Sequence, residues 1–472
     1  MHQRMRSEVL ETGAVAEPLD VLGIGFGPAN LALALCLEEQ PAERRGPRSL
    51  FLERKPGYDW HPDMLLAGAE VQVTFLKDLV TMRNPQSRFT FLNYLRLHGR
   101  LLDFVNLRSW FPTRMEFNHY YRWVAGQLAH RVQYSRDVVS VVPVHGDDGR
   151  VGLLRVAARQ NQNGHLEEHL TRNLVVATGG VPFIPPGVNI GATDRVFHSC
   201  DFLQRTRRCF PDQAAPYRFI VVGSGQSAAE IFQYLYSNYP NATVTATMRR
   251  FAYKPADESE FVNELYSPLM TDVIFGLPAA ERRGLQQAHA DTNYSAVDLE
   301  LIRSIFRALY QRKVAGDTRV KVRSMLELRE VEPQGDGIVA TLWDRVAARP
   351  EVMEADGMVL ATGFERPQHH PLLRDLAPYL LTTATGAYQV ERDYRVRSAP
   401  AFAPGIYLQG FCESSHGISD SVLSVLPARS QEITESILGA LAGTAAGDEE
   451  DLAAPGMRAA AGPAPASRAP RP

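Results

Sequence analysis

Leu19-Asp20-Val21-Leu22-Gly23-Ile24-Gly25-Phe26-Gly27-Pro28-Ala29-Asn30 decides the fold, because an apolar strand runs straight into a glycine-rich turn that opens a helix. Good helix formers continue from Ala29 to Glu39 and stop before Pro41, and Ser49-Leu50-Phe51-Leu52-Glu53 then reads as a second, parallel strand. Gly23, Gly25 and Gly27 let backbone N–H groups approach a diphosphate, and the helix N-terminus adds favourable partial charge. One such turn is weak support for a nucleotide site, since glycines occur wherever a strand bends sharply into a helix.

The chain contains a second turn of this kind. Tyr217 to Tyr236 repeats strand, turn and helix around Gly223-x-Gly225-Gln226-Ser227-Ala228, and Ala242 to Met248 supplies the next strand, ending at Arg249-Arg250. The two strand ends carry opposite charges. Glu53 suits a free ribose 2′-hydroxyl, which donates to an acid, whereas Arg249 suits a 2′-phosphate, which a guanidinium pairs. The expected cofactors are therefore FAD at the first turn and NADPH at the second. The bland readings are a solvated strand end in Glu53-Arg54-Lys55 and an exposed charged edge at Arg249-Arg250. Asn30 stands where a third glycine or an alanine is expected, so the first helix is predicted to sit differently over the nucleotide.

A chain of 472 residues with 45% hydrophobic content can bury a large core in two or three domains. A net charge of -3, with acids interspersed among the arginines, offers no field for nucleic acid. Cys36, Cys200, Cys209 and Cys412 lie far apart, which argues against a dithiol reductase and against a metal site. Residues 1 to 17 lack an apolar run of signal length, and Leu31 to Leu37 is too short to span a bilayer, so a cytoplasmic protein without membrane contact is expected.

The fold class expected is α/β, two nested Rossmann-like dinucleotide-binding domains with a smaller substrate-binding region. Residues 1–17 are expected to be a disordered arm and 18–215 the first part of the FAD domain. Within it, about 60–124 breaks the rhythm with aromatics, Asn, Arg and Pro, and reads as a pocket-building insertion with several short helices. The NADPH domain is expected over 216–345. Residues 346–443 are read as the return to the FAD domain, marked by Ala361-Thr362-Gly363-Phe364, which echoes Ala177-Thr178-Gly179-Gly180. Residues 444–472, rich in Ala, Pro, Gly and acids, are expected to be a disordered tail.

Gly25-Phe26-Gly27-Pro28-Ala29-Asn30-Leu31, Phe75-Leu76-Lys77-Asp78-Leu79, the run from Asn84 to Leu95, and Phe261-Val262-Asn263-Glu264 resemble the flavin-dependent L-ornithine N5-monooxygenase and L-lysine N6-monooxygenase family of microbial siderophore biosynthesis. Thr292-Asn293-Tyr294-Ser295, Asp356 to Phe364 with His370-Pro371, and His416-Gly417-Ile418-Ser419-Asp420 extend the resemblance over roughly 19–442. Phe364 departs from the family's usual Tyr.

The resemblance implies NADPH- and O2-dependent hydroxylation of a side-chain amine through a C4a-hydroperoxyflavin, protected by retained NADP⁺. It implies that Lys77 holds the substrate α-carboxylate, that Asn263 binds the substrate backbone, and that Asn293 and Gln72 lie at the reacting centre. Ser424 matches a serine on the helix that closes the pocket, and Gln72 also faces substrate. Cofactor contacts are implied at Gly23, Gly25, Gly27, Pro28, Asn30, Glu53, Trp60, Gly223, Gly225, Gln226, Ser227, Arg249, Asn293, Thr362, Gly363 and Asp420.

Met82-Arg83-Asn84-Pro85, Asp103 to Leu107 and Phe111-Pro112-Thr113-Arg114 resemble the ornithine branch, which makes L-ornithine the expected substrate ahead of lysine or a diamine. The resemblance is also compatible with a homotetramer. Competing readings are a surface Lys77 paired with Asp78, a capping Asn263, a core Trp60, and satisfied polar groups at Gln72 and Ser424. A flavin-binding regulatory protein without turnover is the alternative of a different class. His416, beside a glycine, reads as packing and is given no proton-transfer role.

Overall fold

The computed structural model describes residues 17–41, 46–292 and 294–452, with side chains described up to residue 443. The arm expected over 1–17 lies outside the described residues except for Glu17. The last helix runs Leu426–Leu452, past the tail boundary expected at Thr444, and the rest of that tail lies outside the described residues. Among the described residues no helix is long and apolar enough to cross a membrane.

One mixed, mainly parallel sheet and one wholly parallel sheet form the frame, in agreement with the α/β nested reading. In the first, Leu19–Ile24 pairs in parallel with Ser49–Glu53 on one side and with Leu166–Val176 on the other. Val132–Tyr134 extends it beyond Ser49–Glu53. Leu166–Val176 is shared along its length: its start pairs antiparallel with Val151–Gln160, and its end accepts Gly405–Leu408 in parallel. Helix Pro28–Glu38 is buried from Asn30 to Leu37, which explains a sequence apolar on nearly every face.

The second sheet is parallel throughout, in the order Val320–Ser324, Thr243–Met248, Arg218–Val222, Gly357–Leu360, Val196–His198. An antiparallel layer of Leu326–Gln334, Gly337–Asp344 and Arg349–Ala355 shares a core with it through Leu328, Ile338 and Leu342 against Ile220 and Met358.

This topology corrects both expected domain boundaries. Val196–His198, ahead of 215, already belongs to the second sheet, and so does Gly357–Leu360, which had been read as the return. The chain crosses at Val181–Pro182 and comes back at Phe364–Glu365, and these two segments pair antiparallel with each other. The two Ala-Thr-Gly stretches are thus equivalents in separate sheets. Each follows the strand beside a glycine turn, and a Cβ on Gly25 would fall 2.7 Å from the Ala177 carbonyl oxygen while one on Gly223 would fall 2.3 Å from that of Ala361. Both glycines also have positive φ, +83° and +148°, so close approach and backbone conformation require glycine together.

The insertion has the short helices expected, Phe91–Leu97, Leu101–Leu107 and Arg114–Gln127, with Thr90 and Thr113 capping the first and last by accepting from Asn93 N and Glu116 N. Its aromatics fill the first core, where Phe91 touches Phe104, Phe117 and Tyr120. Met64, Leu66 and Ala69 pack instead into the second core, so the segment after Glu53 leans on both bodies.

Candidate active site

At the first turn, Glu53 is 5% exposed and one carboxylate oxygen accepts from Phe26 N–H at 2.7 Å, the other from Lys55 N–H at 3.0 Å. The solvated reading of Glu53 does not hold. Each oxygen keeps a second lone pair, so the acid both fixes the turn and can accept from a ribose hydroxyl. Gly27 caps the helix with open space where a Cβ would be, leaving the N-terminus next to Pro28 accessible to a diphosphate. These residues fit the adenosine diphosphate half of FAD.

Asn30 does something else. Its amide donates to Gly25 O at 2.6 Å and to Ile24 O at 3.3 Å, and its Oδ1 accepts from Gln409 at 2.8 Å, all in the core. It clamps the turn from below, which corrects its assignment as a direct cofactor contact. A third glycine could not supply this bridge between the turn and the end of Gly405–Leu408.

The second turn opens helix Gln226–Asn238 at Gly225. Gln226 is committed to the protein, with its Oε1 accepting from Asp298 N–H at 2.9 Å and its Nε2 donating to Glu230 at 2.9 Å, while Ser227 is half-buried beside it. At the end of Thr243–Met248 lies a cleft of ≈580 Å³ lined by Arg249, Arg250, Lys254, Arg345, Asp291 and Met325. Asp291 is occupied by Arg250 at 2.8 Å and by Lys254 at 2.5 Å, whereas the exposed Arg249 makes no side-chain ion pair among the described residues. The cleft keeps excess positive charge where an adenosine 2′-phosphate would lie. Arg249→Ala is expected to raise the KM for NADPH about tenfold, the worth of a charged hydrogen bond, and to leave NADH kinetics unchanged. Steady-state rates with both nucleotides check this, and equal losses with both would remove the 2′-phosphate role.

Lys77 is half-buried, and its expected partner is unavailable. Asp78, 2% exposed, accepts from the backbone N–H groups of Val80, Thr81 and Phe91 and from the Thr81 hydroxyl. The Lys77 ammonium forms no ion pair among the described residues, and its pKa is lowered by burial, opposed by the nearby Glu264 carboxylate. Glu264 follows Asn263, so Lys77 lies within electrostatic reach of the Asn263 turn. Asn263 is exposed at the end of helix Glu260–Asn263, and its Nδ2 donates to Glu258 O at 2.9 Å, leaving its Oδ1 available.

Asn293 lies outside the described residues, but its flanks are fixed. Tyr266 donates to Thr292 Oγ1 at 2.9 Å, Tyr294 bonds Glu413 and Ser421, and Ser295 Cα would stand 3.4 Å from a Cβ on Gly225. This loop joins the second glycine turn to the segment that carries Ser424, which is half-buried on the short helix Leu423–Val425. Gln72 is exposed with no side-chain bond among the described residues. Trp60 packs edge-on against Tyr121 at 5.5 Å as part of the first core.

One further assignment changes. Asp420 is buried, pairs with Arg429 at 2.9 Å and accepts from Cys412 N–H at 2.6 Å, so its carboxylate is committed to the protein, which corrects its assignment as a cofactor contact. Thr362 donates to Phe183 O at 2.5 Å, and Gly363 O accepts from Phe183 N–H and His198, while Gly363 itself stays exposed with open space where a Cβ would stand, so a cofactor contact there is not contradicted. His416 is fully buried and stacked on Tyr394, and burial lowers its pKa to about 4, consistent with packing.

Sequence reasoning missed the bidentate pair of Arg114 with Glu230, both contacts at 2.8 Å, which links the insertion to the helix of the second turn. A Thr113-x-x-Glu116 capping spacing, also missed, marks the helix start beside Arg114, but nothing in the sequence names its partner.

Two glycine turns on nested parallel sheets, one closed by a buried acid and one by a basic cleft, define a two-dinucleotide oxidoreductase. The chain belongs to the L-lysine 6-monooxygenase/L-ornithine 5-monooxygenase family, whose model matches residues 17–366. It is 44% identical over 403 residues to the L-ornithine N(5)-monooxygenase of Burkholderia cepacia, covering 84% of this chain and 89% of the relative. The Kutzneria sp. 744 ornithine N-hydroxylase, solved with FADred, NADP⁺ and L-orn, superposes with a TM-score of 0.84 at 39% identity, over 89% of this chain and 99% of that one. The L-lysine 6-monooxygenase of Pseudomonas syringae gives 0.79 at 34% identity, over 89% and 99%.

Proposed function

We propose that this chain hydroxylates the side-chain nitrogen of L-ornithine with NADPH and O2, using FAD, to give N5-hydroxy-L-ornithine for siderophore-type biosynthesis. The observation that carries the reading is Lys77, a half-buried cation whose neighbouring acid is fully engaged elsewhere and which lies within electrostatic reach of Glu264, next to Asn263. An amino-acid carboxylate completes that arrangement. Overall, R–NH2 + O2 + NADPH + H⁺ gives R–NHOH + NADP⁺ + H2O.

Bound flavin supplies the electron transfer and the activation of O2. The chain's own part is orientation and dehydration. Lys77 fixes the carboxylate end, Asn263 offers its Oδ1 to the α-amino group, and the side-chain amine is left at a fixed reach from that anchor. Removal of water from the pocket favours the neutral amine, the form with a free lone pair. Asn293 and Gln72 are inferred to line the reacting end, and Ser424 the closing segment.

One methylene separates ornithine from lysine, and its burial is worth only about 1–3 kcal/mol, so reach from Lys77 must carry much of the selectivity. The reading is supported by the identity to the Burkholderia relative and by the superposition on the Kutzneria hydroxylase. The test is a panel of L-ornithine, L-lysine and simple diamines, with NADPH oxidation and hydroxylamine formation measured together. Hydroxylamine matching NADPH use with ornithine is expected. Coupled product with lysine but not ornithine would overturn the substrate, and no product with any amine despite bound flavin would favour a regulatory flavoprotein.

A further inference from the structure

Arg366 is a second half-buried cation that forms no ion pair among the described residues. It comes three residues after Gly363, immediately past the Phe364–Glu365 segment that returns to the first body. Its Nε is buried and makes no hydrogen bond, and its guanidinium has no ion pair among the described residues. Desolvating such a group without compensation is unfavourable, which points to a missing anion.

Its position says which anion. The Nε lies 4.0 Å from where a Cβ would stand on Gly410, and its Cγ lies 3.6 Å from the same point on Gly180. Gly180 and Gly410 follow the C-terminal ends of Leu166–Val176 and Gly405–Leu408, neighbouring strands of the first sheet. These strands lie on the opposite side of Leu19–Ile24 from Ser49–Glu53. With an adenosine held at Glu53 and a diphosphate at the central turn, the other half of a dinucleotide bound there would extend toward Gly180 and Gly410. Arg366 also reaches toward Tyr294, whose hydroxyl is bonded to Glu413, on the loop shared with the second turn.

A hydride carries two electrons and one proton, so an acceptor that takes it from NADPH gains one negative charge while the donor becomes NADP⁺. We propose that Arg366 is the counter-ion for that charge at the flavin end of the first site, making the flavin easier to reduce. This rests on the flavin reading above. Arg366 needs no proton transfer for it, because a guanidinium stays charged throughout.

The experiment is a spectroelectrochemical titration of FAD-loaded wild type, Arg366→Gln and Arg366→Lys, without NADPH. Arg366→Gln is expected to lower the two-electron reduction equilibrium about tenfold, or about 30 mV, and Arg366→Lys to keep most of the wild-type potential. An unchanged potential in Arg366→Gln overturns the proposal. If NADP⁺ affinity alone falls tenfold while 2′,5′-ADP still binds, Arg366 serves the second nucleotide's diphosphate and the proposal is equally overturned. Should Arg366→Gln fail to retain FAD, Arg366→Lys decides: a retained potential supports a charge role, and a lowered one refutes it. Failure of wild type to bind FAD would instead defeat the flavin reading.

Discussion

Lys77→Ala is expected to raise the KM for L-ornithine roughly 30- to 150-fold, about 2–3 kcal/mol for a charged hydrogen bond lost on one side, with FAD content and NADPH binding unchanged. The size follows from the setting. The ammonium has surrendered part of its hydration and forms no ion pair among the described residues in return, since Asp78 is held by three backbone N–H groups and a hydroxyl. Without a bound carboxylate, the same ammonium is a slight liability to the fold. Thermal stability of the variant should therefore be equal to or above that of wild type, a pattern that separates a ligand-binding lysine from one that braces structure.

The sign with pH follows from the lowered Lys77 pKa. Only the protonated form attracts a carboxylate, so ornithine affinity should be fully present at low and neutral pH. It should fade as pH rises through a value below the ordinary lysine range. Steady-state KM as a function of pH, compared with Lys77→Arg, tests this, and a flat profile in the wild type would contradict it.

Glu230→Leu is expected to cost about 3–5 kcal/mol in urea unfolding, the largest stability effect of any change considered. The Arg114 and Glu230 side chains are 13% and 6% exposed, so the truncation strands a guanidinium in a mostly dry interface. Arg114→Met together with Glu230→Leu should recover most of the loss, because both charges are then gone and the volume is kept. The pair also serves geometry. Glu230 holds Gln226, and Gln226 holds the N–H of Asp298, whose carboxylate caps the helix starting at Leu299. The double variant is thus expected to be stable yet to show a raised KM for NADPH and more NADPH oxidised without product. Additive effects of the two single changes would remove the coupling.

What could be read from the sequence were the features enforced locally. A glycine at positive φ against a carbonyl has no substitute, so both turns announced themselves, and Glu53 and Arg249 followed by position. The resemblance then drew attention to Lys77 and to Asn263, whose neighbour Glu264 acts electrostatically on that lysine. The errors arose where a residue's meaning depends on distant chain. Asn30 could be seen as a missing glycine but not as a link to Gln409, 379 positions away. Asp420 has the look of a loop ligand until Arg429 is placed beside it. Gly357–Leu360 and Leu174–Val176 have nearly the same composition and the same Ala-Thr-Gly ending, so sequence could not say that they lie in different sheets. The Arg114 and Glu230 partners, 116 positions apart, carry no mutual signal at all.

The adjacency of Val181–Pro182 and Phe364–Glu365 bears on the order in which the molecule is made. The inner sheet, bounded by Val196 and Leu360, has all its strands once Leu360 has been synthesised. The outer sheet must wait for Gly405–Leu408 to reach Leu166–Val176. On a ribosome the inner body can therefore close while the outer one still lacks a strand. It then works as a clip that draws the two ends of the interrupted domain side by side, converting a closure over more than two hundred residues into a short one.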